Sequence, residues 1–181
     1  MSHSRKGVIA FSAAVLGLAG CATAPLSPVT IIPDALRVPA TQTLMYVVEA
    51  DGVQIYQCQR GKEAVESYAW VFSAPEAQLT DQAGHPFGHH YGGPTWEALD
   101  GSKVTGEVKA RDPGPDPAAI PWLQLSATST TGPGLLAKTA SILRIKTSGG
   151  KAPTSGCSAD AVNQVRRVAY RAEYRFYMIG P

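Results

Sequence analysis

From Arg167 to Met178 the chain alternates without interruption. Val168, Tyr170, Ala172, Tyr174, Phe176 and Met178 fall on one parity, and Arg167, Ala169, Arg171, Glu173, Arg175 and Tyr177 on the other. A period of two sustained over the whole run would scatter its apolar side chains around a helix, but it puts them all on one face of a strand. This stretch therefore reads as a half-buried strand, and it sets the class of everything that must pack against it.

The rest of the chain agrees. Short β-rich runs at 44–48, 53–59, 68–72, 77–81, 95–98, 103–110, 122–128 and 135–147 are separated by turn residues. Asp51-Gly52 and Leu99-Asp100-Gly101-Ser102 read as hairpin turns, and Pro75 as the end of a strand. In 53–59, Val53 and Ile55 oppose Gln54, Tyr56 and Cys58; in the 135–147 run, Leu143, Ile145 and Thr147 oppose Ile142, Arg144 and Lys146. Residues 111–121 and 148–158 read as loops, and only 159–165 suggests a helical turn. With 18 Gly, 14 Pro and 17% charged residues, the expected fold is all-β: a single antiparallel β-sandwich or closed β-barrel of roughly eight to ten strands over residues 41–181.

Residues 1–20 have the layout of an export signal, with Arg5-Lys6 ahead of an apolar stretch from Val8 to Ala19 that is too short for a permanent span. Leu18-Ala19-Gly20-Cys21 resembles the lipobox of bacterial lipoproteins. That resemblance implies diacylglyceryl attachment at Cys21, a membrane partner through this anchor, and an envelope location, with the outer membrane facing the periplasm implied by Ala22. A soluble periplasmic or secreted protein is the alternative. Residues 21–40, broken by Pro25, Pro28, Pro33 and Pro39, read as a tether. With Cys21 lipidated, Cys58 and Cys157 remain. An oxidising compartment favours a disulfide between them, closing a loop of about 100 residues, with two buried thiols as the alternative.

Charge excludes one class of partner. There are 16 basic and 14 acidic residues, but Arg5 and Lys6 lie in the leader, so the remainder is neutral and holds no basic run longer than Arg166-Arg167. Nucleic acid is not an expected partner. The signs are segregated: residues 49–116 hold 11 acids and 5 bases, residues 138–175 hold 8 bases and 2 acids. Either acidic and basic strands lie side by side, or the last third forms a basic binding face.

The densest chemical text is His89-His90-Tyr91-Gly92-Gly93-Pro94-Thr95-Trp96-Glu97, followed by Asp100-Gly101-Ser102-Lys103. His85 and His89 have the four-residue spacing of helical metal ligands, but Pro86, Gly88, Gly92, Gly93 and Pro94 forbid a helix here. In a strand His89 and His90 face opposite sides. They are weak metal candidates, and no metal or other cofactor is expected. Tyr91, Trp96, Glu97, Lys103 and Trp122 join His90 as candidate ligand-binding residues. As catalytic candidates, His90 would act as base with Glu97 or Asp100 orienting it. No G-x-S-x-G elbow and no G-x-G-x-x-G fingerprint is present.

Gly93-Pro94-Thr95-Trp96-Glu97 with Asp100-Gly101-Ser102-Lys103-Val104 resembles the hallmark of the domain of unknown function 3455 family. Val53-Gln54-Ile55-Tyr56-Gln57-Cys58, Tyr68-Ala69-Trp70-Val71-Phe72, Ala119-Ile120-Pro121-Trp122-Leu123 and Gly149-Gly150-Lys151-Ala152-Pro153 extend the likeness over most of the chain after the tether. The family brings no established activity. Three functions stay open: a non-catalytic envelope lipoprotein binding a small molecule, glycan or protein partner; a hydrolase built on His90; and a structural surface protein without a pocket.

Overall fold

The computed structural model describes residues 29–61 and 67–180. The export signal and Cys21 lie outside the described residues. Contacts divide the chain into Met1–Ile31 and Ile32–Pro181, and the second unit carries the fold. Its strands are β1 (Gln42–Arg60), β2 (Tyr68–Asp81), β3 (Pro86–Tyr91), β4 (Thr95–Ala98), β5 (Lys103–Asp112), β6 (Trp122–Thr131), β7 (Thr139–Gly149) and β8 (Val165–Ile179). Each pairs antiparallel with the next, and β1 pairs with β8, so the sheet closes into a barrel. Closure leaves no unpaired sheet edge.

β1 is longer than its sequence suggests. Asp51 and Gly52 do not turn the chain but lie mid-strand, paired to β2 and β8 at once. Gly52 is needed there because a Cβ would sit 2.1 Å from the Glu76 carbonyl oxygen; the glycine marks a close approach of two strands, not a reversal. Pro75 likewise does not break β2, so the runs at 68–72 and 77–81 are one strand. The β2–β3 ladder stops at Ala77↔His90, so Pro75 has a ladder neighbour on one side only and its missing N–H costs no second bond. A bulge where Tyr56 meets Phe72 and Ile55 meets Ala74 shifts the parity of β2, so that Trp70 and then Pro75, Ala77 and Leu79 are buried. The segment 86–91, which sequence reading leaves unassigned, is β3. The long run from 135 becomes a strand only at Thr139, after Leu136 has been buried at the far end of the barrel.

β8 buries Tyr170, Ala172, Tyr174 and Phe176, as its alternation predicts. Its arginines meet acidic neighbours: Arg171 pairs with Asp51 of β1 at 2.9 Å and Arg167 with Glu76 of β2 at 2.7 Å. The segregated charges thus neutralise, Arg171 against the neighbouring strand and Arg167 across β1. On β1 the buried parity is Gln54, Tyr56 and Cys58, not Val53 and Ile55. On β7 both faces are covered. Ile142 points into the main core, while Leu143 and Ile145 pack outward against Leu36 and Trp122. Leu36 sits in a 3-10 turn, Asp34–Leu36, and Ile32 and Val38 flank it on the same cluster. The compact unit therefore begins at Ile32, inside the stretch read as tether, because these three apolar side chains cover the outer stripe of β7.

Cys58 and Cys157 form a disulfide with Cα atoms 5.4 Å apart. It ties the end of β1 to the loop between β7 and β8. Tyr56, Trp70, Ala161 and Val168 pack around it.

Candidate functional site

The two ends of the barrel are filled differently. At the end holding the β2–β3, β4–β5 and β6–β7 turns, the interior is packed dry. Phe87 stacks on Phe176 with centroids 6.3 Å apart, Tyr46 lies against Phe87, and Trp96 meets Phe176 edge-on. Asp100 clasps this end: one carboxylate oxygen accepts from the Ser102 amide and hydroxyl, the other from the Leu135 amide at 2.8 Å. At the other end, beside the disulfide, the interior opens into a cavity of about 490 Å³. An eight-stranded barrel is wide enough to be filled by side chains or to hold one small ligand; this one does the first below and has room for the second above.

All eight strands contribute to the cavity wall. Gln54 and Tyr56 come from β1, Phe72 and Pro75 from β2, His90 from β3, Trp96 from β4 and Val108 and Arg111 from β5. Leu123 and Leu125 of β6, Arg144 of β7 and Tyr174 of β8 complete it, with Gly93-Pro94 and Ile120-Pro121 on the connecting segments. The 113–121 loop is bound in place. Ile120 donates its amide to Gly149, Thr147 donates its hydroxyl to Ile120, and Arg144 donates Nε and Nη2 to the Pro121 carbonyl at 3.2 and 2.9 Å. Tyr56 donates to the Gly150 carbonyl at 2.6 Å. The disulfide holds the β7–β8 loop that begins at Gly150, so covalent and hydrogen-bonded restraints converge on the rim.

His90 lies on the cavity wall, 3% exposed. It stacks on Trp96 with centroids 4.4 Å apart and meets Tyr174 edge-on at 5.1 Å. Its Nδ1 faces the Thr95 carbonyl at 2.8 Å. A carbonyl only accepts, so Nδ1 carries the proton and Nε2 is the acceptor of a neutral ring. Burial, with the Arg144 charge adding to it, pushes the His90 pKa down to about 3 against the opposing effect of the Thr95 bond. The ring is neutral at any physiological pH.

Around it are buried donors. The Gln54 amide nitrogen, the Trp96 indole nitrogen and the hydroxyls of Tyr170 and Tyr174 lack a hydrogen bond of good geometry. Their side chains are nonetheless close enough to interact with one another, Tyr170 with Tyr174 and Gln54, and Tyr174 with Arg144. Burial pushes both tyrosine pKa values up, and Arg144 pulls against that rise. Unpaired polar groups are rare in protein interiors and each costs roughly 1–3 kcal/mol. Three of the four, on Gln54, Trp96 and Tyr174, lie on the cavity wall.

The sequence candidates divide by strand parity. His90 and Trp96 point inward and line the cavity. Tyr91, Glu97 and Lys103 point outward and make their own cluster: Tyr91 donates to Glu97 at 2.8 Å and Lys103 pairs with the same oxygen at 3.2 Å. The Tyr91 hydroxyl, then the Lys103 ammonium, hold the Glu97 carboxyl below its usual range. Glu97 therefore cannot orient His90; the wall of the barrel lies between them. Asp100 cannot either, being engaged in the clasp at the opposite end. Trp122, expected to face a ligand, packs outward on Leu36, Leu143 and Ile145. His85 pairs with Asp81 at 3.1 Å, and His89 is exposed on the face opposite His90. Among the described residues no cluster of three metal-ligating side chains occurs. Sequence reading missed Gln54, Arg111, Arg144 and Tyr174 on the cavity wall. One signal was available: a disulfide cysteine at position 58 is expected to be buried, and its parity carries Tyr56 and Gln54 inward with it.

A family model described as protein of unknown function (DUF3455) matches residues 39–178. The chain belongs to this family. The match runs from the residues just before β1 almost to the end of β8, and so covers the whole barrel. No curated protein and no solved structure matches the chain.

Proposed function

We propose that this DUF3455 protein is a non-catalytic binding protein that holds one small molecule inside its barrel, exported and anchored at the envelope through lipid on Cys21. The observation that carries the reading is the cavity: a largely apolar chamber of about 490 Å³ with the polar side chains of Gln54, Tyr174 and Arg144 on its wall. Pockets of this size bury most of a small ligand's surface, and a few convergent polar groups orient it. The Leu18-Ala19-Gly20-Cys21 sequence supports the anchor, and a Cys58–Cys157 bridge is in keeping with an oxidising compartment.

Binding is favoured over hydrolysis by what lines the chamber. Its wall includes no Ser, Thr, Cys, Asp or Glu side chain. His90, with a pKa near 3, is too weak a base to activate water at neutral pH. Fluorescence titration with the neutral apolar probe N-phenyl-1-naphthylamine tests the reading. Saturable one-to-one binding is expected, and Val108→Trp, which fills the chamber from β5, should weaken it at least tenfold. Binding without saturation, or unaffected by the filling variant, would refute an internal site.

A further inference from the structure

We propose that the molecule taken into the barrel is an apolar monocarboxylate whose head group pairs with Arg144. This rests on the cavity being a ligand site. The argument starts from the arginines. Of the eight that are described, Arg37, Arg167, Arg171 and Arg175 each pair with a carboxylate. Arg60 and Arg166 lie over the rings of Tyr68 and Trp70. Among the described residues, only Arg111 and Arg144 have neither a salt bridge nor a cation–π contact, and both line the cavity.

Arg144 is the inner of the two. It lies on the face of β7 that also turns Ile142 into the core, and its Nε and Nη2 share a single acceptor, the Pro121 carbonyl. A guanidinium beside an apolar chamber is costly unless an anion meets it, and its planar fork suits a carboxylate. A carboxylate offers about four lone-pair sites. The Tyr174 hydroxyl and the Gln54 amide, donors on the same wall that lack a hydrogen bond of good geometry, can take those the guanidinium leaves free. His90 is neutral and adds no second charge, so one interior cation faces one anionic group. The remaining wall, with Trp96, Leu123, Leu125 and Val108, takes the apolar body. Arg111 is exposed and draws anions toward the mouth at low ionic strength.

The test is calorimetric titration of the purified mature protein at pH 7 with 2-naphthoate and decanoate, each against its primary amide. The carboxylates should bind at least tenfold more tightly than the amides. Arg144→Gln keeps a donor for the Pro121 carbonyl and should bring that ratio close to one while N-phenyl-1-naphthylamine still binds. Tyr174→Phe, which removes only a hydroxyl, should lower carboxylate affinity and spare the amides. Amides that bind as tightly as carboxylates would overturn the head-group assignment and leave the cavity reading standing. An undiminished preference in Arg144→Gln would overturn the role of Arg144. No binding of either class below a Kd of about 1 mM, together with no binding of the neutral probe, would overturn both readings.

Discussion

The same strands build both halves of this barrel, yet they fill them with opposite chemistry. Along β1 the inward residues change from Val48 and Ala50 to Gln54 and Tyr56; along β7 from Ile142 to Arg144; along β8 from Phe176 to Tyr174 and Tyr170. The lower half is closed by packed rings and the Asp100 clasp. The upper half gives up packing for a chamber, and is held by the disulfide and by hydrogen bonds from Arg144, Thr147 and Tyr56 to the rim. The difference teaches that the strand pattern fixes the barrel, while the polarity of a few inward positions decides which end packs as a core and which end opens into a chamber.

If that division is right, the two halves respond differently to damage. Replacing Cys58 and Cys157 together by Ser removes a staple that closes a loop of 99 residues. The expected loss is about 4–5 kcal/mol in chemical denaturation; a loss under about 1 kcal/mol would show that the upper half holds itself. Phe176→Ala, in the packed half, should cost about 3–5 kcal/mol by the same measurement. If its effect is no larger than that of a surface substitution, the lower half is not the dry core described here.

Protonation gives a third contrast. The folded pKa of His90, about 3, lies below the ordinary value of 6.5. The folded state therefore binds fewer protons than the unfolded one between these values. The stability this confers is complete above pH 6.5 and is lost as pH falls toward 3, with a total on the order of 5 kcal/mol. His90→Gln should remove this component from the pH profile of the denaturation midpoint; an unchanged profile would place the titration elsewhere. The smallest effect is expected for Tyr174→Phe, which deletes a hydroxyl without a hydrogen bond of good geometry and should change stability by less than about 1 kcal/mol. A loss above 2 kcal/mol would mean that the hydroxyl is bonded within the fold.

Much of the architecture was legible because period two is a local property. The run from Arg167 to Met178 declared a half-buried strand, and the three cysteines, with one claimed by the lipobox, declared a pair. The segment around His90 and Trp96 was recognisable as dense in chemistry, and both residues do reach the cavity. What sequence could not display was which parity faces inward when the interior is itself polar. Ordinary patterning assigns Gln54 and Arg144 to solvent and Val53 to the core, and a barrel with a polar chamber inverts that assignment. The same limit hid the separation of His90 from Glu97, seven residues away but on the other face. Trp122 was misplaced for a different reason: the outer stripe of β7 is covered by Ile32, Leu36 and Val38, and nothing in those proline-spaced residues announces that they fold back onto a strand more than one hundred positions later.

The claim that one end of the barrel is a site and the other a core can be tested in a single spectrum. Two-dimensional NMR of aromatic side chains, recorded while 2-naphthoate is added, should move the resonances of Tyr56, His90, Trp96 and Tyr174 with a common saturation. Those of Tyr46 and Phe87, on the packed side, should stay in place. Shifts confined to surface residues such as Tyr91, or spread evenly over both groups, would contradict the account.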